Sequence, residues 1–140
     1  MLRPSLPSPK QPTLFVSSLP QCPKYETLAS VKAAIFHPAA IAAIRSFPAH
    51  VRRELGKAVY DLQRGEVLSM PLSRPMPQVA VGVSELRFRD RAGIYRAFYY
   101  TRSARGILIL HAFVKKTQQT SPQDVNLGRH RLQELLDEEN

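Results

Sequence analysis

The residues with which this sequence could do chemistry are Arg74, Arg87, Arg89, Arg96, Lys115 and Lys116. Between Arg74 and Lys116 nine basic residues stand against two acids, Glu85 and Asp90. An arginine head presents five donors in a rigid plane that matches the paired oxygens of phosphate or carboxylate. A lysine is a compact charge whose pKa falls when it is desolvated beside other cations, which suits it to proton transfer. Such a concentration calls for a polyanionic partner, nucleic acid or an acidic protein segment, with a merely solvated basic surface as the plain alternative. His111 and the tyrosines Tyr95, Tyr99 and Tyr100 lie in the same stretch. A lone strand histidine is more often a satisfied core residue than a base, and strand tyrosines usually pack in cores, although either type can serve an RNA site.

The elements that must position these residues run from Ser84 to Gln119, which reads as three consecutive antiparallel strands with tight connections at 90–93 and 101–106. Alternation sets Glu85, Arg87 and Arg89 on one face of the first strand and Leu86 and Phe88 on the other. In the next strand Ile94, Arg96, Phe98 and Tyr100 share a side against Tyr95, Ala97 and Tyr99. Both sides are substantially apolar, as expected of a central strand. In the third, Ile107, Ile109, His111, Phe113 and Lys115 oppose Leu108, Leu110, Ala112, Val114 and Lys116. One sheet thus carries a packed face and a cationic face.

Supporting elements flank this meander. Val31–Phe36 is a short strand candidate. His37-Pro38 opens a first helix, since proline is tolerated at the first helical position. Phe47-Pro48 ends it, and Ser46 is a candidate cap for a second helix whose Val51, Leu55, Ala58, Val59 and Leu62 recur at helical spacing and which Gly65 stops. Residues 66–82 contain Pro71, Pro75 and Pro77 and read as an ordered irregular loop carrying Arg74. Ser121-Pro122-Gln123-Asp124 is a cap, a proline at the first position and an acid in the first turn of a last helix. The fold expected is α+β: a small antiparallel sheet, made of one N-terminal strand plus the three-stranded meander, packed against two N-terminal helices, with a C-terminal helix.

The remaining composition narrows the function. At 140 residues and net charge +9 the chain can bury one ordinary core, here residues 31–140. Residues 1–30 hold six of the twelve prolines and read as a disordered extension. Val31 is a candidate natural start, since a GTG start codon encodes valine when read internally. The single cysteine, Cys22, allows no internal disulfide and fits a reducing compartment. His37, His50, His111 and His130 show no ligand spacing, so no metal and no cofactor are expected. No apolar run reaches membrane-spanning length and no secretory h-region opens the chain, which points to a cytoplasmic protein with no membrane partner. No Ser-His-Asp pattern, phosphate-binding glycine loop or paired-carboxylate site is present.

With the motifs ELRFRDRAGIYRAFYY and LHAFVKKTQQTSPQD in this order, the chain from Val31 to Leu136 resembles the HigB/RelE-like toxins of bacterial type II toxin–antitoxin systems. The likeness is to the phage-derived branch of the RelE/ParE superfamily, whose strands read E-L-R, Y-R and F-x-K-K-T. The resemblance implies a RelE-like fold and a metal-independent endoribonuclease, an mRNA interferase that cuts messenger RNA on the ribosome. It also implies neutralisation by a helix-turn-helix, HigA-like antitoxin. A ParE-like toxin that inhibits DNA gyrase without cleavage, or a decayed toxin remnant, are the alternatives.

The same resemblance distributes roles. Metal-free RNA cleavage needs a base for the 2′-hydroxyl, an acid for the leaving 5′-oxygen and cations for the charge that develops on phosphate. Arg89 matches a phosphate-binding arginine. Arg96 matches a second family position, with a structural ion pair to Glu85 or Asp90 as the competing role. Lys115 and Lys116 stand where catalytic basic residues leave the sheet, and His111 is a further candidate. Arg74 matches a backbone-contacting position. Arg87 joins it on the cationic face, and Tyr95 or Tyr99 could stack on a base. Some members place a tyrosine or histidine in the last helix, where this chain has only His130, so the identity of the general base is open.

Overall fold

The computed structural model describes residues 31–139; the expectations for residues 1–30 fall outside them. In chain order the elements are β1 (Ala34–Phe36), α1 (Pro38–Arg45), α2 (Ala49–Gln63), β2 (Ser73–Pro75), β3 (Val83–Arg89), β4 (Ile94–Ser103), β5 (Gly106–Lys115) and α3 (Pro122–Asp137). The strands form one sheet in the order β1-β5-β4-β3-β2. The α+β class and the central meander are as the sequence predicts, and two details differ. The sheet is mixed, because β1 runs parallel to β5 with Ala34 opposite Ile107 and Phe36 opposite Ile109. The region read as irregular loop contributes β2, antiparallel to β3 with Arg74 opposite Glu85. Pro75 is tolerated there because β2 is an edge strand, whose outer side needs no ladder donor.

Local chemistry sets the ends of the elements. The His37 Nδ1 accepts from the Ala39 amide at 3.1 Å and caps α1 ahead of Pro38. Ser46 does not cap α2: it closes α1, its Oγ donating to the Ala43 carbonyl at 2.6 Å, and Pro48 takes the cap position of α2 with no side-chain acceptor. The link between the helices is so short that one serine serves only the helix it follows. Ser121 caps α3 as expected, accepting from the Asp124 amide at 3.1 Å. Gly106 has φ +138 and crosses against the Ala33 carbonyl, where a side chain would collide, and this close approach lets the Ile107 amide donate to that carbonyl at 2.8 Å.

The two faces of the sheet are covered unequally. On one, α1 and α2 bury Ile44, Phe47, Val51, Leu55 and Leu62 against Leu86, Phe88, Tyr95, Ala97, Tyr99, Ile107 and Ile109. On the other, α3 brings Leu132 and Leu135 onto Val83, Phe98, Leu108 and Leu110, with Met76 and Val79 filling the margin. Each such large side chain, fully buried, contributes about 1.5–3 kcal/mol. Gly128 allows the close seat of α3, since a Cβ there would lie 2.8 Å from the Phe98 ring. The part of this second face formed by Arg87, Arg89, Arg96 and Lys115 is left open.

Strict alternation fails in β5. Phe98 pairs with His111 and Tyr99 with Ile109, so Leu110 is an extra residue in a bulge. Ile107 and Ile109 therefore point into the α1–α2 side, whereas Phe113 and Leu110 belong to the α3 side and Ala112 has crossed over. The bulge reverses the facing of everything after it and brings Phe113 and Lys115 onto the face that carries Arg87 and Arg96.

Candidate functional site

Strand register assembles the site. One row across the sheet reads Arg74, Glu85, Phe98, His111; the next Arg87, Arg96, Phe113; the third Arg89, Ile94, Lys115. Beyond α3 these rows form a cleft of ≈ 590 Å³ whose walls include six cations, Arg74, Arg87, Arg89, Arg96, Lys115 and Lys116, together with Thr117 and Gln118. Lys116 reaches the rim because β5 ends at Lys115. Thr117 closes the F-x-K-K-T motif and Gln118 follows it, but the sequence marks neither as a site residue, because only the return of the chain past the strand end puts them there.

Like charges directly opposite one another, as Arg87 and Arg96 are, repel. Glu85 offsets this from beneath. It is 0% exposed, with Oε1 at 3.5 Å from Arg96 Nε and 3.8 Å from Arg87 Nε. These distances give charge compensation without hydrogen bonds: both Glu85 oxygens and the Nε atoms of Arg87 and Arg96 are buried without a hydrogen-bond partner. Arg96 therefore does pair structurally, with Glu85. The other acid weighed for it is engaged elsewhere, Asp90 Oδ1 accepting from the Ala92 and Gly93 amides at 2.8 and 2.9 Å and Oδ2 meeting His50 Nε2 at 3.0 Å.

The electrostatics follow from this crowding. Desolvation lowers the Arg96 pKa most, and Arg87, Arg89 and Arg74 lower it further, while Glu85 opposes them. Lys115 is lowered for the same reasons, by burial first and then by Arg96, with Arg87 and Arg74 adding and Glu85 opposing. Arg89 is exposed at the end of β3 and Arg74 is exposed on the edge strand, so the charges grade from buried at Arg96 to solvated at the rim.

Three expected contributors are placed elsewhere. His111 is buried behind Phe113, stacked on that ring at 4.9 Å, and lies outside the cleft walls. Its Nε2 meets Asp124 Oδ1 and its Nδ1 meets Arg131 Nη1, each at 2.8 Å. Because arginine can only donate, Nδ1 accepts and Nε2 carries the proton toward Asp124. Burial first, then Arg131, lowers its pKa against the pull of Asp124. This is a satisfied neutral imidazole, not a base facing the cleft. Tyr95 and Tyr99 are each 5% exposed on the α1–α2 side, Tyr95 against Phe47 and Tyr99 bonded to Ser73 Oγ at 2.6 Å. Neither ring can stack on a base in the cleft, because alternation sends them to the opposite face from Arg96. His130, on the exposed side of α3, faces Glu134 at 3.7 Å. Among the described residues no group of three His, Cys, Asp or Glu side chains could hold a metal, and no helix is long and apolar enough to cross a membrane.

Fold and cleft together define an α+β protein with a cationic hollow at the uncovered end of its sheet. The profile of the family described as phage derived protein Gp49-like (DUF891) matches residues 42–133, and the chain belongs to that family. No curated protein matches the sequence. Among solved structures, the crystal structure of the toxin–antitoxin complex RelBE2 from Mycobacterium tuberculosis is similar over 61% of this chain and 99% of that one, at 17% identity and a TM-score of 0.44.

Proposed function

We propose that the chain is the toxin of a type II toxin–antitoxin pair and an endoribonuclease that cuts messenger RNA on the ribosome in the cytoplasm. The observation that carries this reading is Lys115: a partly buried ammonium with a lowered pKa, on the wall of a six-cation cleft, in a Gp49-like chain. A lysine whose neutral form is accessible takes the 2′-hydroxyl proton, the 2′-oxygen attacks phosphorus, and the bond to the 5′-oxygen breaks to leave a cyclic phosphate. Arg87 and Arg89 stabilise the phosphorane oxygens, Arg96 adds positive potential from below, and Lys116 at the rim protonates the leaving oxygen.

The partner that silences it is a helix-turn-helix antitoxin whose acidic side chains face the same cleft, so association slows as salt rises. Induction in cells followed by mapping of messenger 5′ ends tests the activity. Discrete cuts within codons are expected. Intact messages with a DNA-damage response identify a gyrase inhibitor instead, and normal growth identifies an inactive remnant.

A further inference from the structure

Beside the cationic cleft lies a second hollow of ≈ 380 Å³, walled by Pro71, Leu72 and Phe88 and sharing Arg87, Arg89 and Arg96 with the cleft. Its one acid is Glu54, an exposed residue of α2 that has no ion pair or hydrogen bond among the described residues. The volume is within the range of about 300–1,000 Å³ usual for small-ligand sites. A nucleotide has the same anatomy as these joined hollows, an anion linked to a flat apolar ring with a polar edge. A phosphate held by the shared arginines leaves its base over Pro71 and Leu72, with Glu54 at the base edge; Phe88, 5% exposed and packed on the α1–α2 side, backs the hollow without offering its ring face.

We infer that this hollow is a nucleobase subsite and that Glu54 selects guanine. A carboxylate only accepts, through two oxygens held side by side. Guanine offers two adjacent donors on its Watson–Crick edge, the ring N1–H and the exocyclic amine, and so satisfies both oxygens. Adenine and cytosine each offer one donor nitrogen there, and uracil offers one N–H between two carbonyls that the carboxylate repels. Losing a paired hydrogen bond to a charged acceptor is what makes such a site discriminate. The inference rests on the cleft being a phosphate site, as the proposed function requires.

Titration of the purified full chain at low salt with inorganic phosphate and with the four 3′-mononucleotides tests both layers. The expected result is binding of all five, with guanosine monophosphate tightest by about tenfold over uridine monophosphate, a difference of about 1.4 kcal/mol. Glu54→Ala, on an exposed helical position where alanine is well tolerated, should not weaken phosphate binding, since it removes an anion from beside the shared arginines, and should erase the guanine preference; Glu54→Gln, which keeps one acceptor, should retain part of it. Equal affinity for the four nucleotides, or a guanine preference that survives in Glu54→Ala, overturns the subsite while phosphate binding leaves the cleft reading standing. If neither phosphate nor any nucleotide binds, the cleft reading falls and the subsite with it.

Discussion

Two buried polar clusters sit one strand row apart and are built on opposite terms. Around His111 every partner is found: Asp124 and Arg131 on its two nitrogens, with Ser121 Oγ donating to Asp124 Oδ2 at 2.8 Å. Around Arg96 the charges are near one another but unbonded, with four buried atoms of Glu85, Arg87 and Arg96 lacking hydrogen-bond partners. Buried polar groups in folded proteins are overwhelmingly hydrogen-bonded, so an orphaned set needs an explanation. A completed network holds α3 onto the sheet, and an incomplete one leaves two guanidinium charges against a single carboxylate beside an open cleft. The difference teaches which of the two leaves positive charge unmatched, although both contain residue types that could do chemistry.

The largest effect that would sharpen this contrast is on cleavage. Lys115→Arg keeps the charge and cannot give up a proton at working pH, so messenger cutting should fall by about 10²–10⁴ while phosphate binding persists. In the wild type the rate should rise with pH on a limb centred below the ordinary lysine value of 10.5, because the neutral amine is the active form and the Lys115 pKa is lowered. Cutting in Lys115→Arg at the wild-type rate would remove Lys115 from the chemistry.

Next comes stability at the orphaned cluster. Glu85→Ala strips the counter-ion from a guanidinium that is only 5% exposed, and should cost about 3–5 kcal/mol in denaturant unfolding. Adding phosphate or an RNA oligonucleotide should restore part of that loss by supplying a new anion. A negligible cost would show that Arg87 and Arg96 tolerate each other unaided.

The satisfied cluster should respond less. Arg131→Met leaves the His111 Nδ1 without its donor and should cost about 1–3 kcal/mol, and it should also raise the His111 pKa by removing a nearby cation. The pH dependence is smaller still and has a definite sign. His111 binds its proton less readily folded than unfolded, so its contribution is complete above the unfolded value near 6.5 and is lost as pH falls through the lower folded value. Unfolding midpoints should therefore drop below about pH 6.5, less so in His111→Gln. A His111 proton-resonance titration centred above 6.5 would contradict the neutral tautomer.

Much of this molecule was legible in the chain. Period-two alternation put Arg87 and Arg89 on one face and Tyr95, Ala97 and Tyr99 on the other from Arg96, and helical spacing named the buried stripe of α2. Ser121-Pro122 announced the start of α3, since a cap and a proline act on the few residues beside them. What the chain did not declare depends on partners far away in sequence. The bulge at Leu110 has no residue signature, because one extra residue matters only against a neighbouring strand, yet it decides that Lys115 joins Arg96 in the cleft. The tie from His111 to Arg131 spans 20 residues and exists only once α3 has docked. Glu85 stood among surface-patterned charges and became the most buried of them, since β4 and β2 close over it from both sides. Local geometry is dictated by neighbours along the chain, whereas desolvation and charge pairing are set by whatever the fold brings within a few ångströms.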